Sequence, residues 1–195
     1  MKKLLSLSMI IFASVQLFAQ VQFNPQIGLT FMKFTDAPAG VTYDGKVGMS
    51  LGADLRFGGK LQFQPGVHYV NSVTAYQAEG EEATSGDVVY KSLKLKTLVA
   101  YNIIDAKQFK FRANFGPSYD FLLGAKDKKS GDNIKSDFKN GTFFLQGGLG
   151  VDILFLTADL GYAHGLSKTF DYADAPDSKT AGIYFIVGII FGKGK

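Results

Sequence analysis

Two histidines, His68 and His164, are the only imidazole side chains in the sequence. His164 precedes Ser167 and Asp171, which together supply the three residue types of a nucleophilic hydrolase. A spacing of three residues nevertheless places His164 and Ser167 on opposite faces of an extended strand, because side chains there alternate with a period of two. The sequence therefore favours a structural or interfacial role for the histidines, and no enzymatic activity is expected.

Two acidic segments could bind Ca²⁺, which prefers carboxylate oxygens. One has three glutamates within residues 79–82, and the other contains Asp171, Asp174 and Asp177. Neither has the regular ligand spacing and the glycine of an EF-hand loop. Acidic surface loops are usually solvated, so neither a metal nor a cofactor is expected.

The strongest pattern is an alternation of charged and apolar residues. From Phe109 to Leu123 every second residue is mostly aromatic or aliphatic, whereas the positions between include Lys110, Arg112 and Asp120. This period of two predicts a long β-strand with one apolar and one polar face. With the same alternation in the other strands, nine charged residues in all lie on the polar faces: Asp54, Arg56, Lys94, Lys96, Lys110, Arg112, Asp120, Asp152 and Asp159.

Eight strands are predicted in this way. They are Phe23–Phe34, Val47–Phe57, Leu61–Ser72, Leu93–Asn102, Gln108–Leu123, Phe143–Ile153, Leu156–Ala163 and Ala181–Phe191. The connections between them alternate long and short, with long connections expected at Thr35–Lys46, Val73–Val89, Gly124–Gly141 and Ser167–Lys179. This alternation is typical of a transmembrane barrel that has both termini and all short turns on the periplasmic side.

The polar face indicates which side of the sheet is inside. It is rich in small residues, among them Gly48, Ser50, Gly52, Gly148 and Gly150. Glycine weakens an exposed strand but suits a crowded space, and an eight-stranded barrel has an interior just wide enough for side chains. We therefore predict an all-β fold, an eight-stranded antiparallel transmembrane β-barrel with a filled polar lumen. Because unpaired charge is unfavourable there, the nine charged residues are expected to pair as an ionic plug.

Aromatic residues on the apolar face cluster at the strand ends, which predicts two girdles at the membrane interfaces. At the short turns the expected girdle residues are Phe57, Phe63, Tyr101, Phe109, Phe155 and Phe191. At the long connections they are Tyr69, Tyr119, Phe121, Phe143 and Tyr162.

The N-terminus predicts export. Lys2 and Lys3 precede a short apolar stretch, Leu4–Phe18, and Ala19 offers a small residue for cleavage. We therefore expect residues 1–19 to be a signal peptide and residues 20–195 to be a single barrel domain. Cysteine is absent, so disulfides do not stabilise the fold. A mean hydropathy of +0.07 is too low for a bundle of membrane helices.

Net charge argues against a nucleic-acid partner. Without Lys2 and Lys3 the mature chain keeps 19 of the 21 basic residues against 17 acidic ones. No basic stripe interleaved with stacking aromatics is present. The lysines at Lys126, Lys128 and Lys129 could contact lipopolysaccharide phosphates outside a membrane, although charged loops are common.

The pattern from Gly147 to Asp152, its partner from Ala158 to Gly165, and the final strand Ile183–Phe191 resemble the small outer-membrane β-barrel proteins of the PorT-like and OmpX-like type. The resemblance covers residues 20–195. It implies location in the outer membrane of a gram-negative-type envelope.

Three functions remain open from the sequence. The first is a non-enzymatic envelope protein, anchored in outer-membrane lipid, whose long loops engage a surface ligand or another envelope protein. The second is a narrow porin-like channel for small solutes. The third is a secreted, soluble, lipocalin-like barrel that binds an apolar ligand with its apolar face turned inward.

Overall fold

Eight antiparallel strands close into a barrel in the computed structural model, which describes residues 21–35, 41–78, 84–170 and 177–192. The predicted signal peptide and the acidic residues at 79–82, Asp171 and Asp174 lie outside the described residues. The strands are β1 (Val21–Phe34), β2 (Val41–Gly58), β3 (Leu61–Ala78), β4 (Thr84–Asp105), β5 (Phe109–Asp127), β6 (Gly141–Ile153), β7 (Leu156–Gly165) and β8 (Thr180–Ile189). One short 3₁₀ helix, Lys135–Asp137, lies between β5 and β6.

Each strand pairs with its sequence neighbours, and β8 pairs with β1 to close the ring. The predicted fold class and strand count are thereby confirmed. A glycine is needed at Gly58, whose φ of +108° lies in the left-handed region, because the chain reverses tightly there between β2 and β3. None of the helices in the described part of the chain is long and apolar enough to cross a membrane.

Four strands are longer than the sequence predicted, and three of the expected long connections are therefore wrong in extent. Residues 41–46 and 73–78 belong to the β2–β3 ladder, which runs from Val41 opposite Ala78 to Lys46 opposite Val73. Residues 84–89 continue β4, and 124–127 continue β5. The polar composition of these segments predicts loops, but their backbone hydrogen bonds are satisfied equally well in strands that stand clear of the membrane. We call this four-strand extension the projection.

The outer wall is apolar along its whole length. Leu51 is 63% exposed, Phe115 58% and Leu160 59%, and each lies among other exposed aliphatic or aromatic side chains. Soluble proteins rarely expose contiguous apolar patches of this size, whereas a membrane barrel must present them to lipid. The soluble lipocalin-like alternative is wrong, because its apolar face would have to line the interior.

A candidate functional site in the barrel lumen

The short-turn end of the lumen, which we call the turn side, holds two arginines and two aspartates. Arg56 donates to both carboxylate oxygens of Asp152 at 3.1 and 3.2 Å. Arg112 contacts Asp152 through Nη1 and donates from Nη2 to Asp159 at 2.5 Å. Both arginines also donate to the Thr157 hydroxyl, at 3.0 and 2.8 Å. We call Arg56, Arg112, Asp152 and Asp159 the ionic cluster.

Four different strands supply the ionic cluster. Arg56 lies on β2, Arg112 on β5, Asp152 on β6 and Asp159 on β7. The two arginines are 1% and 0% exposed, so solvent contributes almost nothing to their charge stabilisation. Each arginine therefore depends on the carboxylates, and the cluster ties opposite walls of the barrel together.

A second polar group lies further along the lumen and is organised around Asp54. One of its carboxylate oxygens lies 2.9 Å from His68 Nε2, and the other lies 2.9 Å from the Lys96 ammonium. Ser50 Oγ lies 3.4 Å from His68 Nδ1. Ser50, His68 and Asp54 thus occur in the order of a hydrolytic triad.

The space beside this triad is too small for a substrate. The cavity that Ser50 and His68 line has a volume of about 40 Å³, and Tyr90, Phe144 and Tyr184 also line it. One water needs roughly 10–15 Å³ measured in this way, so the cavity holds a few waters and no organic substrate. The arrangement can orient a proton on His68, and the cavity beside it has room for only a few waters.

The other predicted charges lie apart from the ionic cluster. Lys94 pairs with Asp120 at 2.9 Å and also lies 4.6 Å from the Phe144 ring centroid. Lys110 pairs with Asp105 at 3.0 Å at the turn-side rim, where both side chains keep contact with solvent. The nine charged residues are therefore placed in two buried groups, one half-buried pair and one rim pair. Their role as a plug stays a proposal.

The loop-side end of the lumen is closed by apolar side chains. Phe34, Val88, Ala125, Phe138 and Phe170 are buried together, and we call them the apolar plug. The Phe34 ring lies 5.1 Å from Phe170 and 6.0 Å from Phe138, measured between centroids. Backbone pairing between Phe138 and Phe170 joins the β5–β6 and β7–β8 connections across the mouth.

Sequence reasoning missed the apolar plug, although a signal was present. Met32 and Phe34 occupy positions in β1 that alternate with the lipid-facing residues, where the pattern requires polar or small side chains. Phe144, near the loop end of β6, and Ile186, further along β8, break the pattern in the same way and are buried with Met32. The residues from the connections, Phe138 and Phe170, follow no periodic pattern and could not have been assigned.

The predicted girdle residues lie on the outer wall. Phe57 and Phe63 pair at one turn, with ring centroids 6.4 Å apart. Tyr119 contacts Phe121 and Phe143 near the loop side at 4.6 and 4.5 Å. The remaining members are exposed: Tyr69, Tyr101, Phe109, Phe155, Tyr162 and Phe191. Their role at the membrane interfaces stays a prediction.

The other candidate groups are not assembled into a site. His164 stacks on Tyr162, and the hydroxyl of Ser167 accepts a hydrogen bond from the Phe143 backbone. Across the described ranges, no three metal-ligating side chains are close enough to hold an ion. Asp171 and Asp174 lie outside those ranges, and Asp177 pairs with Lys168 at 3.4 Å.

One polar contact organises the tip of the projection. Asp127 accepts hydrogen bonds from the Tyr76 hydroxyl at 2.9 Å and from the Lys129 backbone at 2.7 Å. Desolvation raises the pKa of Asp127, but these hydrogen bonds and that from Ser130 outweigh it and hold the pKa below its ordinary value. The hydrogen bond to Asp127 in turn raises the pKa of Tyr76.

The sequence and the fold are both similar to those of known outer-membrane barrels. Residues 14–171 match the family model described as outer membrane protein beta-barrel domain. The crystal structure of the outer membrane protein OprG from Pseudomonas aeruginosa superposes with a TM-score of 0.56 at 13% identity, covering 90% of this chain and 97% of OprG. Neisserial surface protein A superposes with a TM-score of 0.52 at 15% identity, covering 87% and 97% of the two chains. Among curated proteins, no sequence matches.

Proposed function

The chain belongs to the outer membrane protein β-barrel domain family, and on that premise we propose that it is a non-enzymatic, non-conducting anchor that presents its projection to a partner at the cell surface. The observation that carries the proposal is the ladder of β2–β5 beyond the lipid-facing wall. There Tyr43 lies opposite Tyr76 and Tyr76 lies opposite Gly86, with regular pairing. A rigid sheet held clear of the membrane is suited to recognition.

A non-conducting lumen is supported by its two barriers. The ionic cluster crosses the turn-side half, and the apolar plug closes the loop-side mouth. A hydrated ion would have to displace paired charges at one barrier and packed rings at the other. The cavity between them has a volume of only about 40 Å³, which is room for a few waters. A narrow solute channel is for that reason the less favoured function.

The projection also has a surface shaped for a ligand. A cleft of about 530 Å³ lies between β2, β3, β4 and the segment after β5, and Lys46, Tyr76, Asp87, Lys128 and Lys129 line it. Both charge signs are present, with Lys46 paired to Asp87 at 2.5 Å. Such a cleft is suited to a polar partner such as a glycan or a peptide.

Two measurements test the proposal separately. Purified, folded protein in planar bilayers is expected to give no stepwise conductance, and regular conductance steps would overturn the non-conducting part. A photo-crosslinking residue at Gln77, on the projection, is expected to give a discrete adduct in intact cells. The same residue at Leu149, on the lipid-facing wall, serves as the control. Equal results at the two positions would overturn the role of the projection.

A further inference from the structure

Four lysines lie just beyond the last apolar residues of the lipid-facing wall, on the loop side. They are Lys33 on β1, Lys46 on β2, Lys91 on β4 and Lys126 on β5, and all four are exposed. We call them the lysine arc. They lie on four of the five consecutive strands β1–β5.

The height of the lysine arc is set by the last apolar residue of each strand. On β1 and β4 the lysines stand two residues beyond Phe31 and Leu93, so they share the outer face with them. Two residues of a strand span about 6.6 Å. The ammonium groups therefore reach the level at which lipid headgroups begin, while their methylene stems lie along the wall.

Two irregularities bring the other lysines to the same level. The β2–β3 register shifts between Lys46 and Met49, so Lys46 is exposed next to the exposed Val47. The β4–β5 register shifts between Lys91 and Ser92, so Leu123 is an extra residue of β5 with no partner on β4. As a result, Lys126 faces outward and Ala125 faces the lumen. Without these bulges, strict alternation would point Lys46 and Lys126 into the lumen.

The members of the lysine arc are close enough to share an anion. Lys91 lies opposite Gly124, so Lys126 is its diagonal neighbour. Diagonal pairs on one face of a sheet are separated by about 7–8 Å, which flexible lysine side chains span. Phe31, two residues before Lys33, lies opposite Val47, the residue next to Lys46. The arc thus consists of two lysine pairs with β3 between them.

Carboxylates do not neutralise most of the arc. Lys46 pairs with Asp87, but within the described part of the chain no carboxylate forms an ion pair with Lys33, Lys91 or Lys126. On the turn-side rim Lys110 is paired with Asp105, and Lys60 lies over the Tyr101 ring at 5.4 Å. On the loop side, within the described part of the chain, three lysines of the arc have no ion-pair partner at the lipid boundary.

We propose that the lysine arc binds the phosphate groups of membrane lipids in the leaflet on the loop side. A lipid phosphate suits the site because its acyl chains lie against the exposed Leu93 and Leu123 while its charge meets Lys91 and Lys126. Cations near an anionic lipid surface add to its attraction, and pairs of lysines act together on one phosphate.

The test is native mass spectrometry of the folded, full-length mature protein with phosphatidic acid as the phosphate probe and phosphatidylcholine as the neutral reference. The variant Lys33→Gln/Lys91→Gln/Lys126→Gln removes three charges from the arc. Each lysine near an anionic surface contributes on the order of fivefold in affinity, so the triple variant is expected to lose tenfold or more of its preference for phosphatidic acid.

A matched control removes the same charge from the connection between β5 and β6. Lys128→Gln/Lys129→Gln/Lys135→Gln leaves the arc intact and is expected to keep the preference within about twofold. Equal losses in the two variants would overturn the proposal in favour of net charge alone. No loss in the arc variant, or a larger loss in the connection variant, would also overturn it. The single changes Lys91→Gln and Lys126→Gln serve if the triple variant does not fold.

Inorganic phosphate separates the lipid from the free anion. It is expected to compete poorly with phosphatidic acid, because it lacks the chains that lie against the outer wall. Full displacement of the lipid by inorganic phosphate would contradict a lipid site.

Discussion

The two halves of the lumen are filled by opposite chemistry. On the turn side, Arg56 and Arg112 pair with Asp152 and Asp159, and every member comes from a strand. On the loop side, the apolar plug joins Phe34 of β1 to Phe138 and Phe170 of the connections. Strand residues are fixed in position, so they can hold the tight geometry that desolvated charges require, whereas connections can adjust to fill an apolar mouth.

The two halves should therefore respond differently to substitution. Removing one partner of a buried ion pair leaves an uncompensated charge, which is strongly destabilising. Removing a ring from an apolar cluster leaves a cavity that neighbours partly fill. The ionic cluster should therefore be intolerant of single changes and the apolar plug more tolerant.

Arg112→Ala is expected to have the largest effect. It leaves Asp152 and Asp159 with Arg56 as their remaining arginine, and breaking a buried pair lowers the free energy of unfolding by about 3–5 kcal/mol. Urea unfolding in liposomes measures the change. The control is Lys110→Ala, on the same strand but in the rim pair with Asp105. It is expected to lower the free energy of unfolding by less than about 1 kcal/mol. A similar loss of stability in both variants would contradict the expectation that the buried ionic cluster stabilises the barrel more than the exposed rim pair.

Phe34→Ala is expected to lower the free energy of unfolding by about 3 kcal/mol, which is the low end of the cost of replacing a buried phenylalanine by alanine. Phe34 is 4% exposed and touches both connection rings, so its loss should also loosen the mouth. The matched control is Phe115→Ala on the outer wall, where lipid replaces the ring. The same urea titration compares them, and a loss as large as that of Arg112→Ala would show that the two halves do not differ.

Gly148→Ala tests how crowded the turn-side half is. An added Cβ would lie 2.5 Å from the Leu160 carbonyl oxygen and 2.8 Å from the Gly161 Cα, both backbone atoms that cannot rotate away. We expect the free energy of unfolding to fall by roughly 1–3 kcal/mol, as it does when a packed core is overfilled. At Gly124, on the loop side, nothing lies within 4 Å of the added Cβ, so Gly124→Ala should be neutral. The heat-dependent gel shift of the two variants reports the difference, and identical behaviour would argue against crowding.

The smallest expected effect is a pH dependence at the tip of the projection. The folded-state pKa of Asp127 lies below its ordinary value, so its contribution to stability is present above the unfolded pKa and is lost as pH falls through the folded one. Hydrogen exchange of the backbone amides at Lys129 and Ser130 should quicken in that acidic range. Asp127→Asn should remove this pH dependence, and its persistence would assign the change to another group.

Periodicity was enough to predict the wall of the barrel but not its contents. Alternation is dictated by lipid on one side, so positions such as Leu95, Leu149 and Phe185 could be assigned from sequence. Partners within the lumen depend on register across several strands. Arg56 on β2 reaches Asp152 on β6, a separation of 96 residues that no local pattern encodes. The charged set was recognisable, but its division into groups was not.

The positions of the strand ends on the loop side could not be predicted from the sequence. Polar residues at 73–78 and 84–89 resembled a loop, yet they pair with each other as β3 and β4. Outside the membrane both faces of a strand meet water or packed side chains, so the alternation that marks the wall disappears there. The bulges at Lys46 and Leu123 shift the inner face by one residue and leave no clear mark in the sequence.

Spin-label accessibility at single cysteines distinguishes the lipid-facing wall from the lumen, and the absence of native cysteine makes the labelling straightforward. Labels at Leu145 and Leu149 on β6 should be accessible to oxygen dissolved in the bilayer and shielded from a water-soluble nickel reagent. A label at Gln146, between them and 4% exposed, should be shielded from both. Reaction of position 146 with the aqueous reagent would show an open lumen, and aqueous access at position 149 would show that the faces are reversed. Either result would contradict a closed barrel with its apolar wall in lipid.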